Sequence, residues 1–269
     1  MHSEALDLSV TPSDERFGVR AKAVATCDEH GDYVSFTTKY SDKPSACPKC
    51  VEIRQQEAHH REMQESAARF AAEKLERMLG ASMIPKRFQG KSFDQFNADS
   101  AKQRKALDTC QDYAENFKSH AAAGRCLILL GKPGTGKTHL ATAIADHVIR
   151  NCVVSAAYRT VSGVLTYIKG SYDRDSDYSE ADAMSALAAP GLLIIDEVGA
   201  TKPTEFEQAM LFQVINSRYE QMRPTIVISN LDPSGLPSVL GDRCVDRLRE
   251  GGGIALVFDW ESARKGITA

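Results

Sequence analysis

The stretch Leu127-Ile-Leu-Leu-Gly-Lys-Pro-Gly-Thr-Gly-Lys-Thr138 constrains this chain most. An apolar run ends in Gly131, the spacing G-x-x-x-x-G-K-T follows through Gly136, Lys137 and Thr138, and Leu140 to Ile149 repeats with helical period. That order predicts a strand, a phosphate loop and a helix. Glycines at 131, 134 and 136 permit positive φ and close backbone approach, so successive N–H groups can point into one anion-sized hollow at the positive end of a helix. Lys137 is placed to reach β- and γ-phosphates, and the Thr138 hydroxyl to ligate Mg²⁺. Gly131, Pro133, Gly134, Thr135, Gly136 and His139 complete the expected nucleotide-binding stretch.

Composition bounds what can surround such a loop. With 269 residues, 42% of them hydrophobic and 26% charged, the chain can bury one good α/β core and carry a smaller appendage. A net charge of -3 gives no general attraction to nucleic acid or an anionic membrane, so any DNA contact must come from a local patch. No apolar run is long enough to span a bilayer, and Met1-His-Ser-Glu-Ala-Leu-Asp7 lacks the basic and apolar regions of a secretory signal. The expectation is a cytoplasmic chain without membrane contact. Seven cysteines, an odd number, then point to metal binding or burial ahead of disulfides.

Residues 1–26 read as a polar arm. Cys27-Asp-Glu-His30 and Cys47-Pro-Lys-Cys50 follow, two C-x-x-[CH] pairs separated by about 16 residues, the spacing of two knuckles around a structural Zn²⁺. The spacer Gly31 to Tyr40 alternates as a small hairpin would. So short a segment has almost no core, so bound metal would supply much of its folding energy. A surface His30 and a redox-type Cys47/Cys50 pair are the competing explanation. Val51 to about Leu79, rich in Glu, Arg, Gln and Ala with no Gly or Pro, predicts a solvated helix, either a connector or a partner-binding element. Gly80 and Pro85 punctuate it, giving a zinc-type module with its helix at 27–83 and a large domain at 84–269.

In that large domain a helix at about 98–122 precedes apolar runs at 126–130, 153–157, 192–195, 225–229 and 254–258, with helical stretches between them. This is the rhythm of an α/β three-layer sandwich around a parallel five-stranded sheet. The run Leu192-Leu-Ile-Ile-Asp196-Glu197 ends in two carboxylates. Asp196 there can hold Mg²⁺ through water, and Glu197 can polarise an attacking water. Thr225-Ile-Val-Ile-Ser-Asn230 is tipped by an amide that reaches the lytic water or γ-phosphate if its strand lies between the other two. Arg243 and Arg247, one helical turn apart, either pair with Asp242 and Asp246 or project into a neighbouring subunit's phosphate site. Arg264 is a candidate for a same-subunit contact.

Taken together, Gly131 to Thr138, Leu193-Ile-Ile-Asp-Glu-Val-Gly199, Ile228-Ser-Asn230, Gly241 to Arg249 and Val257-Phe-Asp-Trp-Glu-Ser262 resemble the DnaC-type helicase loaders of the DnaC/IstB-like AAA+ ATPases. The likeness covers about residues 84–269. It implies ATP and Mg²⁺ at Lys137, Thr138 and Asp196, water activation by Glu197, and a sensor at Asn230. Arg247 would be the arginine finger, with Arg243 the alternative, and Arg264 a second sensor. It further implies an initiator-type helical insertion at Val161 to Tyr172 and single-stranded DNA contacts at Lys169, Tyr172, Thr204 and Phe206, although Tyr172 and Phe206 equally suit ordinary packing. The implied partners are a DnaB-type replicative helicase, single-stranded DNA and further copies of the chain with ATP between them. The zinc-type front end departs from the helical N-terminal region of the best-known loaders.

The leading expectation is therefore an ATP-switched replication factor that loads a hexameric helicase onto single-stranded DNA. An IstB-type transposition helper acting on duplex DNA is the alternative. A threading chaperone is disfavoured, since no aromatic pore loop is evident, and a metabolic kinase has no use for the paired arginines.

Overall fold

Five short apolar runs can satisfy their backbone groups only by pairing with one another, and the computed structural model, which describes residues 7–263, joins them in one sheet. The chain divides into two compact units between Ala72 and Glu73.

The first unit opens with α1 (Pro12–Arg16), started by a capping box in which Thr11 and Asp14 satisfy each other's backbone N–H groups. Strands β1 (Val19–Cys27) and β2 (Gly31–Thr38) then form an antiparallel hairpin. Here the structure differs from the sequence expectation. The spacer after Cys27 contributes one strand, and its partner lies within residues that read as a polar arm. The reason is that β1, Val-Arg-Ala-Lys-Ala-Val-Ala-Thr-Cys, alternates but fills three of its apolar positions with alanine, a poor strand former, and so is specified by its register with β2. Ser45 ties the following loop to β2, its carbonyl accepting from Tyr33 and Ser35 and its hydroxyl from the Phe36 N–H. Cys47 is the sole buried apolar side chain among the described residues of this unit. Helix α2 (Pro48–Ala81) follows, with no buried residue along its 34 positions.

The second unit takes the last turns of α2, where Leu75, Met78 and Leu79 lie against its core. It continues through α3 (Ala101–Glu115), α4 (Phe117–Ala122), β3 (Leu127–Gly131), α5 (Lys137–Cys152), β4 (Ala156–Thr160), α6 (Val161–Gly170), α7 (Glu180–Ala188), β5 (Leu192–Val198), α8 (Glu205–Glu220), β6 (Thr225–Ser229), α9 (Leu236–Leu240), α10 (Asp242–Arg249) and β7 (Ile254–Phe258). The sheet is parallel throughout in the order β4-β5-β6-β3-β7. Alternation divides the core between its two faces. Leu127, Leu129, Ile194 and Ile228 pack with Tyr113 and Ile144 of α3 and α5. Ile128, Leu130, Ile195 and Val227 pack with Val164, Leu187, Leu211 and Leu248 of α6, α7, α8 and α10. These are the three layers expected. All five strand regions match, β4 falling three residues later than read, and the helix expected at 98–122 is two pieces broken at Asn116. Among the described residues no helix is long and apolar enough to cross a membrane.

Candidate functional site

The strand order places the carboxyl end of β6 between those of β3 and β5, which brings three separated motifs to one crevice. The loop after β3 is shaped by glycines at positive φ, 125° at Gly131 and 96° at Gly136. At Gly131 a Cβ would lie 2.2 Å from the Phe258 carbonyl oxygen, so no other residue fits beside β7. At Gly136 it would strike the Phe96 ring, which also meets His139 edge-on. His139 faces the Ser92 carbonyl at 2.8 Å, so the lead-in at 92–96 braces the first turn of α5.

The crevice is a cavity of about 310 Å³ lined by loop residues Pro133, Gly134, Gly136, Lys137, Thr138 and His139, by Tyr158, Asp196, Glu197 and Asn230, and by Arg87 and Phe88. The buried Lys137 ammonium donates to the Gly131 and Lys132 carbonyls at 2.6 and 2.7 Å and to Asn230 Oδ1 at 3.0 Å. β6 lies between β3 and β5, the condition set for Asn230 to reach a γ-phosphate or lytic water. Thr138 donates to Asp196 Oδ2 at 2.8 Å. A hydroxyl and a carboxylate this close suit one Mg²⁺, which keeps several of its waters, with Thr138 as a ligand and Asp196 holding it through water.

Glu197 is exposed and sits in the left-handed region at φ 61°, within an irregularity of the β5–β6 register between Ile195 and Val198. A bulge of this kind turns one side chain away from its strand's alternation. It directs Glu197 to the nucleotide cavity, and Glu197 also borders a second cavity of about 340 Å³ with Thr166, Lys169 and Glu207.

Two contributors were not apparent from sequence. Tyr158 on β4 donates to Asp196 Oδ2 at 2.7 Å, and burial, with the Asp196 charge, pushes its phenol above the ordinary value, so it remains a donor. Its signal was only an aromatic two residues before a strand end. Trp260, the one tryptophan of the chain, donates from Nε1 to the Thr135 carbonyl at 3.1 Å, while the Ala263 N–H donates to the Gly134 carbonyl at 2.9 Å. Lys102 and Asp259 form an ion pair beside them. The segment after β7 therefore holds the phosphate loop from outside.

Neither Arg243 nor Arg247 lines the cavity. Arg247 stacks on the Tyr219 ring at 4.3 Å with Glu250 at 3.7 Å, whereas Arg243 is exposed on α10. Lys169 pairs with Glu207 at 3.1 Å, joining the end of α6 to the start of α8. The Thr204 hydroxyl caps α8, Phe206 is exposed, and Tyr172 donates to Glu180 at 2.7 Å. Arg264 lies outside the described residues.

The chain is similar over residues 55–248 to the family described as IstB-like ATP binding protein. It belongs to the IstB/DnaC family of ATP-binding proteins. A curated relative, the replicative helicase loader DnaC of Buchnera aphidicola subsp. Acyrthosiphon pisum, is 36% identical over 194 residues, covering 72% of this chain and 77% of the relative. Among solved structures, the DnaC helicase loader aligns with TM-score 0.58 and 23% identity, covering 64% of this chain and 99% of that one. DnaA bound to AMPPCP and single-stranded DNA aligns with TM-score 0.55 and 20% identity, covering 66% and 52%. These two share the AAA+ fold. The family match begins after Cys50, so the front module stands outside it.

In that module Cys27, His30, Cys47 and Cys50 place one ligand atom each within 4.8 Å of one another. His30 Nδ1 lies 3.6, 3.9 and 3.3 Å from the sulfurs of Cys27, Cys47 and Cys50. Tetrahedral Zn²⁺ with bonds of ~2.3 Å to sulfur and ~2.05 Å to nitrogen sets such pairs ~3.6 Å apart, and sulfurs ~3.8 Å apart, against the 3.5 Å seen between Cys27 and Cys50. The donor set fits. The Glu29 backbone N–H, with His30 and Cys50, lowers the Cys27 thiol to about 6. Cys50 is raised to about 12, chiefly by its hydrogen bond to Cys27 and by burial.

Proposed function

We propose that this chain is an ATP-hydrolysing replication factor that grips a hexameric replicative helicase and delivers it onto single-stranded DNA. The observation that carries the ATPase reading is one cavity holding the Lys137–Asn230 and Thr138–Asp196 pairs with Glu197 beside them. The helicase partner is supported by the 36% identical relative named a replicative helicase loader.

Lys137 and the loop N–H groups bind the β- and γ-phosphates, Phe88 and Arg87 flank the nucleotide, and Asn230 senses the terminal phosphate. Thr138, with Asp196 through water, would hold Mg²⁺, which would supply positive charge against the phosphates. Glu197 orients the attacking water and accepts its proton. Cys27, His30, Cys47 and Cys50 would hold Zn²⁺, which would tie the front hairpin together. Lys169, Tyr172, Thr204 and Phe206 lie on the α6–α8 side where Lys169 and Glu207 join, and we assign single-stranded DNA to that surface.

The helix carrying Arg243 and Arg247 lies away from the cavity of its own subunit, which supports ATP bridging neighbouring copies. Arg247 supplies the guanidinium; its pairing with a half-exposed Glu250 is weak enough to exchange for a phosphate. Replacing Arg247 by alanine is expected to leave ATP binding intact and lower turnover about 10³-fold. Turnover that collapses in Arg243→Ala instead would move the finger to that residue.

Tyr158→Phe keeps the ring and removes one hydrogen bond to Asp196. It is expected to raise the Mg²⁺ concentration for half-maximal turnover roughly tenfold. An unchanged Mg²⁺ titration would show that Asp196 needs no such support.

Light-scattering chromatography of this protein with the replicative helicase of its host, with and without ATP, tests the whole reading. A joint complex is expected. Intact ATP binding without a complex would favour the second reading, a transposition helper, consistent with the family description.

A further inference from the structure

The open end of the front hairpin, opposite its metal-bearing turn, carries two aromatic rings that no packing explains. Phe17 is 80% exposed and Tyr40 81% exposed. They are brought together by pairing. Val19 faces Thr38, and the Lys39 N–H donates to the Gly18 carbonyl at 2.8 Å, so Phe17 and Tyr40 flank the same rung. Gly18, at φ 77°, lets the Lys39 stem run across it, since a Cβ there would lie 3.1 Å from the lysine carbons. The Lys39 ammonium stands 5.0 Å from the Tyr40 ring centroid.

We propose that Phe17, Lys39 and Tyr40 form a binding site for single-stranded nucleic acid on the front module, separate from any contact made by the ATPase domain. A cation on one exposed ring, with a second exposed ring across the same rung, offers stacking faces for unstacked bases and a partner for their phosphate. Charge favours this occupant. Across residues 14–22 and 38–43 five cations face three carboxylates, in a chain of net charge -3. Asp14 is already paired with Lys22, and Asp42 with Arg20. That leaves Arg16, Lys39 and Lys43 against Glu15. The cations supply the salt-dependent part of the affinity, and the rings supply stacking that is indifferent to base sequence.

The test is fluorescence anisotropy of the full zinc-loaded chain with a labelled oligothymidylate, made both in the natural background and in a Lys169→Ala, Phe206→Ala background. Phe17→Ala with Tyr40→Ala is expected to weaken binding at least about tenfold in both backgrounds, and Lys39→Ala to flatten the salt dependence by ~0.7. Photo-crosslinking to an iododeoxyuridine oligonucleotide is expected to leave an adduct on Tyr40 or Phe17. Zinc content and ATP turnover equal to those of the unaltered protein keep the loss from being a folding effect. Unchanged affinity in both backgrounds, with no adduct between residues 16 and 43, would overturn the proposal. It would also be overturned if the double variant lost only its complex with the helicase, because the rings would then belong to a protein contact.

Discussion

Glu197→Gln is expected to bind ATP as the natural protein does and to hydrolyse it about 10²- to 10⁴-fold more slowly. The amide keeps the size of the side chain and its place in the β5 bulge but can no longer take a proton from water. Lys137→Ala is the contrasting variant. It removes a lysine that is 5% exposed and whose ammonium is held between the loop carbonyls and Asn230, and nucleotide binding itself should be lost. Equilibrium binding of a fluorescent ATP analogue, alongside phosphate release, separates the two. Equal affinity in Lys137→Ala would remove the phosphate-loop assignment, and full turnover in Glu197→Gln would move the base elsewhere. Trp260, bonded to the Thr135 carbonyl, is a built-in reporter, because its fluorescence should respond when the loop closes on phosphate.

Chelating Zn²⁺ from the proposed Cys27, His30, Cys47 and Cys50 site is expected to unfold the front hairpin while leaving the nucleotide site working. Structural zinc contributes on the order of 10–16 kcal/mol to small modules, and among the described residues of this unit Cys47, just beyond the hairpin, is the one buried apolar side chain. Hydrogen exchange should show the Val19–Cys27 and Gly31–Thr38 amides losing protection after chelation or in Cys50→Ser. Protection within the Lys137–Cys152 helix should persist. Protected hairpin amides in metal-free protein would refute the structural role.

The phosphate loop, the Asp196-Glu197 strand end, the Ser229-Asn230 strand end and the four zinc-type ligands were legible in the sequence for one reason. Each chemistry needs particular residues at fixed local spacing, set by a tight turn, a helix start or a strand tip. Five apolar runs separated by helical stretches likewise determined a parallel sheet in three layers.

Tertiary structure decided whatever depends on residues far apart in the chain. The order β5-β6-β3 put Asn230 on the Lys137 ammonium, and the pairing of β4 with β5 put the Tyr158 hydroxyl on Asp196 across 38 positions. The Phe258–Ala263 segment reached the phosphate loop across 125 positions, from Trp260 to Thr135. Register made Val19–Cys27 a strand and set Phe17 beside Tyr40, because an alanine-rich strand of low propensity takes its place from the partner that satisfies its backbone.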